Sequence, residues 1–236
     1  MALHASSGRA HPWRYPASMT VLLLIRHGAT PSSDSGVIAG WTPGVHLTDR
    51  GREQAQRVAE RLAGLPINFV YSSPLERCRE TVALLAAARG LRVRVRSELG
   101  EVRYGSWTGR RVRQLARTRL WKAVHVVPSR ARFPGGESLL EVQDRAVREL
   151  ERIAAAHPKA VVAVCSHGDP IRLALAHFAG IHPDLFQRLA VDTASVSVVA
   201  LGDGVPHVLK VNDTGDLSSL VPKKPSGVAS RGKVRG

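Results

Sequence analysis

Two stretches of this chain, TVLLLI (20–25) and AVVAVCS (160–166), run apolar almost without interruption. A strand of that kind has no wet face. It must be covered on both sides, and parallel strands joined through helices are the usual means. The intervening sequence supplies such helices. Residues 48–64 place Ala55, Val58, Ala59 and Leu62 on one face, with Gly64 to end the turn run. INFVYSS (67–73) reads as a further strand. The helix after it is predicted to open with Ser73 as N-cap, Pro74 in the first position and Glu76 completing a capping box, and to end at Gly90. LRVRVR (91–96) alternates apolar and charged residues, which predicts an edge strand. Residues 97–137 are irregular, with one helix expected near 110–123. Ser138 and Glu141 form a second capping box for a helix to about His157, whose inner face is Leu139, Val142, Ala146, Leu150 and Ile153. A helix over 170–179 and strands near 194–201 and 206–212 complete the pattern. The alternation predicts a three-layer α/β/α sandwich with a mostly parallel central sheet.

Composition narrows the function classes. The chain has 236 residues, 44% of them apolar, enough for one domain or at most two. No apolar run approaches the ~20 residues of a membrane span. Residues 1–18 lack an apolar h-region, so no secretory signal is read there. Two cysteines, Cys78 and Cys165, suit a reducing cytoplasm better than a disulfide framework. The net charge of +15 invites a nucleic-acid reading. Seven of those charges lie in two acid-free tails, 1–18 (Arg9, Arg14) and 221–236 (Lys223, Lys224, Arg231, Lys233, Arg235). The body suits a small anionic partner at least as well as a polynucleotide. Residues 1–18 are expected to be a flexible extension, 19–214 the catalytic domain, and 215–236 a basic flexible tail.

In open α/β sheets, ligands gather beyond the carboxyl ends of the strands. Arg26-His27-Gly28 follows the first apolar strand and His167-Gly168 follows the later one. Two imidazoles can therefore face each other across one crevice. Ser73-Pro74 ends a third strand, with Arg77 in the first turn of the next helix. Arg26 and Arg77 offer forked donors that match phosphate oxygens. Gly28 and Gly168 are expected to let backbone approach a ligand. An imidazole is a competent nucleophile toward phosphorus, and a positive clamp would stabilise the transferring group. The leaving oxygen needs a proton. Glu101, in ELGEVRYGSWTG (98–109), is the expected donor, with Glu98 as the rival.

LIRHGAT, SSPLERCRET, GEVRYGSWTG and VCSHGDP occur here in the order seen in the histidine phosphatase superfamily, the phosphoglycerate mutase-like proteins. The resemblance runs from about residue 20 to 212, and among members the chain is most similar to small actinobacterial-type phosphomutases and phosphatases. It implies a phosphoglycerate mutase-like fold, with His27 as phosphorylated nucleophile, Arg26, Arg77 and His167 on the phosphoryl group, and Glu101 as proton donor. Substrate contacts are expected from Arg26, Thr30, Ser33, Trp41, Arg77, His167 and Gly168. Ser33 stands where many members carry Asn, and Trp41 where Arg is common. Glycolytic mutases carry a longer insertion after the acid-bearing loop; here residues 110–137 are compact.

The expected activity is metal-independent hydrolysis of a small phosphorylated metabolite through phosphohistidine. The alternative is a phosphomutase using the same intermediate, which alone would call for 2,3-bisphosphoglycerate as primer; otherwise no cofactor is expected. A weakly catalytic module binding a phospho-ligand or nucleic acid is the least favoured reading. No membrane partner is expected, and association of two copies is left open. No metal is expected, since no HExxH or paired Cys-x-x-Cys spacing is present. Six residues separate Cys165 from Arg172, whereas cysteine phosphatases have five between, so it reads as inert core, and Cys78 as packing on its helix. The remaining eight histidines read as tail, surface or helix-end residues, His46 included. Asp169 is expected to cap the helix that follows His167.

Overall fold

The computed structural model describes residues 19–215; apart from Gly215, the two expected tails lie outside the described residues. In chain order the elements are β1 (Thr20–Arg26), α1 (Pro31–Ser35), α2 (Asp49–Arg61), β2 (Ile67–Ser72), α3 (Glu76–Ala87), β3 (Val93–Val95), α4 (Val112–Leu115), α5 (Arg119–Val126), α6 (Leu139–Ala156), β4 (Val161–Ser166), α7 (Gly168–Phe178), β5 (Val196–Leu201) and β6 (His207–Asp213), with short 3-10 turns between several of them. The sheet order is β3-β2-β4-β1-β5-β6. β1 with β4, β4 with β2 and β2 with β3 pair in parallel. β5 and β6 are antiparallel additions at the other edge.

The two apolar runs are the two central strands, and the two-residue period divides their side chains between the layers. Leu22, Leu24, Val162 and Val164 pack on α6 and α7 through Leu150, Ile153, Ala174 and Leu175. Leu23, Ile25, Ala163 and Cys165 face the other way, against Val58 and Leu62 from α2 and its cap, and Cys78, Val82 and Leu85 from α3. Removing one such leucine costs on the order of 2–5 kcal/mol, because the transfer term and the cavity add. A third cluster joins Val102, Trp107, Leu115, Val124 and Phe133 to Leu139 and Val142 of α6 and Leu173 of α7. It fastens the irregular excursion between β3 and α6 onto the outer helices.

Several boundaries differ from the sequence expectation for identifiable reasons. α3 starts at Glu76 behind an extended Leu75 with no side-chain cap, so Ser73 is not its N-cap. The helix expected near 110–123 divides in two, because Thr118 turns out of the helix and caps α5 by accepting from Trp121 N. α2 closes on Leu62, before Gly64. The capping box of Ser138 and Glu141 forms as expected, and the five inner-face residues named for α6 are buried. β3 is the expected edge strand, three residues long. Among the described residues no helix is long and apolar enough to cross a membrane.

Register positions the site. Arg26 lies opposite Ser166 in the β1–β4 ladder, and His27 N donates to Ser166 O at 3.1 Å. His27 and His167 therefore leave adjacent parallel strands at the same level.

Candidate active site

The two imidazoles meet beyond the strand ends with ring centroids 5.1 Å apart at 61°. Both are buried. The Nδ1 of His27 lies 2.8 Å from Gly28 O. A carbonyl can only accept, so Nδ1 carries the proton, and a neutral ring leaves Nε2 with its lone pair. Burial, then Arg77 and Arg26, push the His27 pKa down to about 3, so the ring is neutral at pH 7. His167 is held well below the usual histidine range by the same burial and by Arg77. Its Nε2 lies 2.8 Å from Ser73 Oγ, and its Nδ1 receives Arg77 Nη2 at 3.3 Å. Ser73 thus orients an imidazole instead of capping a helix. Cys78, placed on its helix by sequence, also packs Sγ 3.4 Å from His167 Nε2.

Each arginine is half tethered. Arg26 Nη1 donates to Val191 O at 2.6 Å, and Arg77 Nη2 donates to Gly40 O at 2.9 Å. Arg26 Nε and Arg77 Nη1 are buried and have no protein acceptor. A buried guanidinium N–H without a partner is costly. Two of them beside a nucleophilic nitrogen make a site whose missing acceptors are the oxygens of an anion. Glu101 joins them, with Oε2 3.8 Å from His167 Nδ1 and its side chain 13% exposed. Burial and the Asp169 carboxylate push Glu101 up to about 7, against the opposing pull of Arg77 and Arg26. The site therefore holds a deprotonated nitrogen base and a carboxyl group able to hold or release a proton near neutrality. Donor atoms of His27, Glu101 and His167 lie within 4.8 Å of one another, a spacing a cation could bridge. Arg26 and Arg77 share that cavity, and their charge favours an anion there.

The cavity measures about 170 Å³. That is below the ~300–1,000 Å³ of ordinary small-molecule sites. Arg26, His27, Thr30, Ser33, Arg77 and Glu101 are among its walls. Four of the expected substrate residues have other duties. Thr30 and Ser33, while lining the cavity, form a reciprocal capping box on α1, in which Ser33 Oγ donates to Thr30 O and Thr30 Oγ1 accepts from Ser33 N. Trp41 does not line the cavity; its Nε1 donates to Glu101 O at 2.6 Å and its ring carries Arg103 at 3.9 Å, so it steadies the acid-bearing loop. A Cβ on Gly168 would meet Arg26 at 3.5 Å, an ordinary contact, so no close ligand approach requires glycine there. A Cβ on Gly28 would fall 2.7 Å from Gly51 O, so Gly28 is needed for packing on α2. Asp169 is no cap either. Its Oδ2 accepts from Tyr104 Oη at 3.0 Å and its Oδ1 from Arg172 at 3.0 Å.

Sequence reading passed over Arg145. From α6 it donates to Glu98 O (2.6 Å), Gly100 O (2.9 Å) and Glu101 O (2.9 Å), and pairs with Glu137 at 2.8 Å. The available signal was an arginine one helical step after Val142, at the border of an apolar face.

Comparison with known proteins matches this arrangement. The family model described as "Histidine phosphatase superfamily (branch 1)" matches residues 22–214. Phosphoserine phosphatase 1 of Hydrogenobacter thermophilus is 30% identical over 207 residues, covering 86% of this chain and 96% of that protein. Phosphoglycerate mutase-like protein 4 of Arabidopsis thaliana is 34% identical over 204 residues, covering 84% and 86%. Among solved structures, the alpha-ribazole phosphatase of Shigella flexneri superposes with a TM-score of 0.73 at 27% identity, over 82% of this chain and 96% of that one.

Proposed function

This chain belongs to the histidine phosphatase superfamily, whose members hydrolyse or transfer phosphoryl groups through phosphohistidine, and on that premise we propose that it is a hydrolase of small phosphorylated metabolites. His27 Nε2 attacks phosphorus in line, the P–O bond to the leaving group breaks, and Glu101 gives its proton to the departing oxygen. Water then attacks the phosphohistidine while the Glu101 carboxylate takes a proton from it, releasing inorganic phosphate and restoring both groups. Arg26 Nε and Arg77 Nη1 hold the equatorial oxygens, and His167, which stands behind the cavity wall, positions Arg77 through its Nδ1. The proposal rests chiefly on one observation: a neutral His27 faces two buried guanidinium N–H groups that no protein atom accepts.

Hydrolysis is favoured over transfer between positions of one substrate because a mutase must keep water from its phosphoenzyme. Of residues 102–136, Tyr104 alone lines the cavity, so the excursion supplies little of the added enclosure that a mutase needs. No cofactor is required for this scheme; a bisphosphorylated primer would be needed only for transfer. Both cysteines are free and buried, which supports a reducing cytoplasm. Rapid quench with a 32P-labelled aryl phosphate should yield acid-labile, base-stable label on the enzyme, absent in His27→Ala. Unchanged labelling or turnover in that variant would refute the scheme. Assay of 3-phosphoglycerate should give inorganic phosphate; isomerisation stimulated by 2,3-bisphosphoglycerate would establish the mutase instead.

A further inference from the structure

Residues 102–136 carry nine Lys and Arg and not one Asp or Glu, whereas the other described residues, 19–101 and 137–215, carry eighteen of each sign. The net positive charge of the described protein therefore sits wholly on the excursion between the acid-bearing loop and α6. Arg110, Arg111, Arg113, Arg117, Arg119 and Lys122 are all exposed, and none has a carboxylate partner among the described residues. An unpaired cluster of this kind repels itself and is maintained at some cost to the fold.

The cluster abuts the cavity. Ile38 N donates to Arg110 O at 3.0 Å, Gly109 N to Ile38 O at 2.8 Å, and Val112 N to Gly36 O at 2.9 Å. These bonds make Val37 and Arg111 an antiparallel bridge pair. Directly opposed residues in such a pair project from the same face, and Val37 lines the cavity. Arg111 accordingly projects from the same face of the bridge as Val37, just outside the cavity lining. A cavity of about 170 Å³ holds the phosphoryl end of an ester and little more, so the rest of the substrate must extend past this rim. A wider groove of about 1,010 Å³ meets the same wall at Arg26 and Ser33. Its own cations are matched, Arg50 by Asp34, Arg61 by Asp213 and Arg57 by Glu53, so it exerts no comparable pull on an anion.

We propose that the substrate's leaving group itself carries a further anionic group, a second phosphate or a carboxylate, which Arg111 and Arg110 receive at the rim while the remaining cations of 102–136 steer it inward. This deepens the phosphatase reading and rests on it. The probes are propane-1,3-diol bisphosphate and propane-1,3-diol monophosphate, which differ only in the distal group. At low salt, kcat/KM should favour the bisphosphate by about tenfold or more, beyond the twofold statistical factor of two equivalent ends. The ratio should shrink toward about two in Arg110→Gln/Arg111→Gln, and in the unaltered protein when ionic strength is raised until charges are screened within ~3 Å. Arg111→Gln alone should carry most of the loss. A ratio near two in the unaltered protein, or one that survives both the double substitution and high salt, overturns the inference. So does salt-steep binding of duplex DNA that the double variant loses while the ratio stays intact, since the patch would then serve a polynucleotide. Failure of the underlying reading is distinguishable: neither probe would then release phosphate in a His27-dependent way.

Discussion

Glu101→Gln tests the proposed division of labour between the two titrating groups. A Glu101 carboxyl that titrates at about 7 is half protonated at pH 7. It is about one-tenth protonated at pH 8 and about one-hundredth at pH 9. Loss of the proton donor should therefore lower kcat/KM for an alkyl phosphate about tenfold per pH unit above neutrality. His27, at about 3, contributes no limb between pH 5 and 9. The glutamine variant keeps the shape of the side chain and cannot transfer a proton. With glycerol 3-phosphate, whose alkoxide cannot depart unprotonated, it should lose about 10²–10⁴ in kcat/KM at pH 6 and show a flat profile on the basic side. With p-nitrophenyl phosphate, whose phenolate needs no proton, the loss should stay below about tenfold. Phosphate release measured for both esters from pH 5 to 9 decides the matter. Equal losses for the two esters, or a basic limb that persists in the variant, would refute the assignment of Glu101 as acid.

Asp169→Asn removes the carboxylate that raises Glu101 while leaving an oxygen for Tyr104; the basic limb of the glycerol 3-phosphate profile should move to lower pH, and an unmoved limb would show that burial alone sets it. His27 titrates at about 3 in the folded protein against about 6.5 unfolded, so the unfolded chain takes up the extra proton and stability is lost as pH falls below 6.5. Urea denaturation should show that His27→Gln loses about 2 kcal/mol less than the parent between pH 7 and 5; identical losses would contradict the buried neutral ring. Gly28→Ala drives a Cβ to 2.7 Å from Gly51 O, a backbone atom that cannot swing aside, and should cost about 1–3 kcal/mol in the same assay. EDTA should leave hydrolysis of p-nitrophenyl phosphate unchanged, whereas a loss restored by a divalent cation would make His27, Glu101 and His167 a metal site.

The layers, the strand ends and the pairing of His27 with His167 were legible because they follow from short-range regularities: uninterrupted apolar runs, helical faces and what stands at a strand terminus. The roles of Trp41, Gly168 and Asp169 were not. Each depends on a partner distant in sequence, such as Glu101 O for Trp41 or Tyr104 for Asp169, and no local pattern encodes that meeting. Ser73 shows the same limit: a serine, proline and glutamate at capping spacing describe a helix start, yet the hydroxyl is drawn to His167, 94 residues away. The acidic function of Glu101 was visible only as a carboxylate in the right loop, because its protonation arises from burial and from Asp169, neither of which the spacing reveals.

The bonds of Arg145 have a consequence for how such a protein can change. Glu101 O and the Glu137 carboxylate both bind its guanidinium, and Arg103 N and O bond the side chain and backbone of Glu137. The two feet of the 102–136 excursion are thus stapled together on one rigid helix. The exposed positions between them can vary in sequence and charge without transmitting a displacement to the proton donor, so substrate preference can be rewritten there while the buried cluster and the chemistry beneath stay in place.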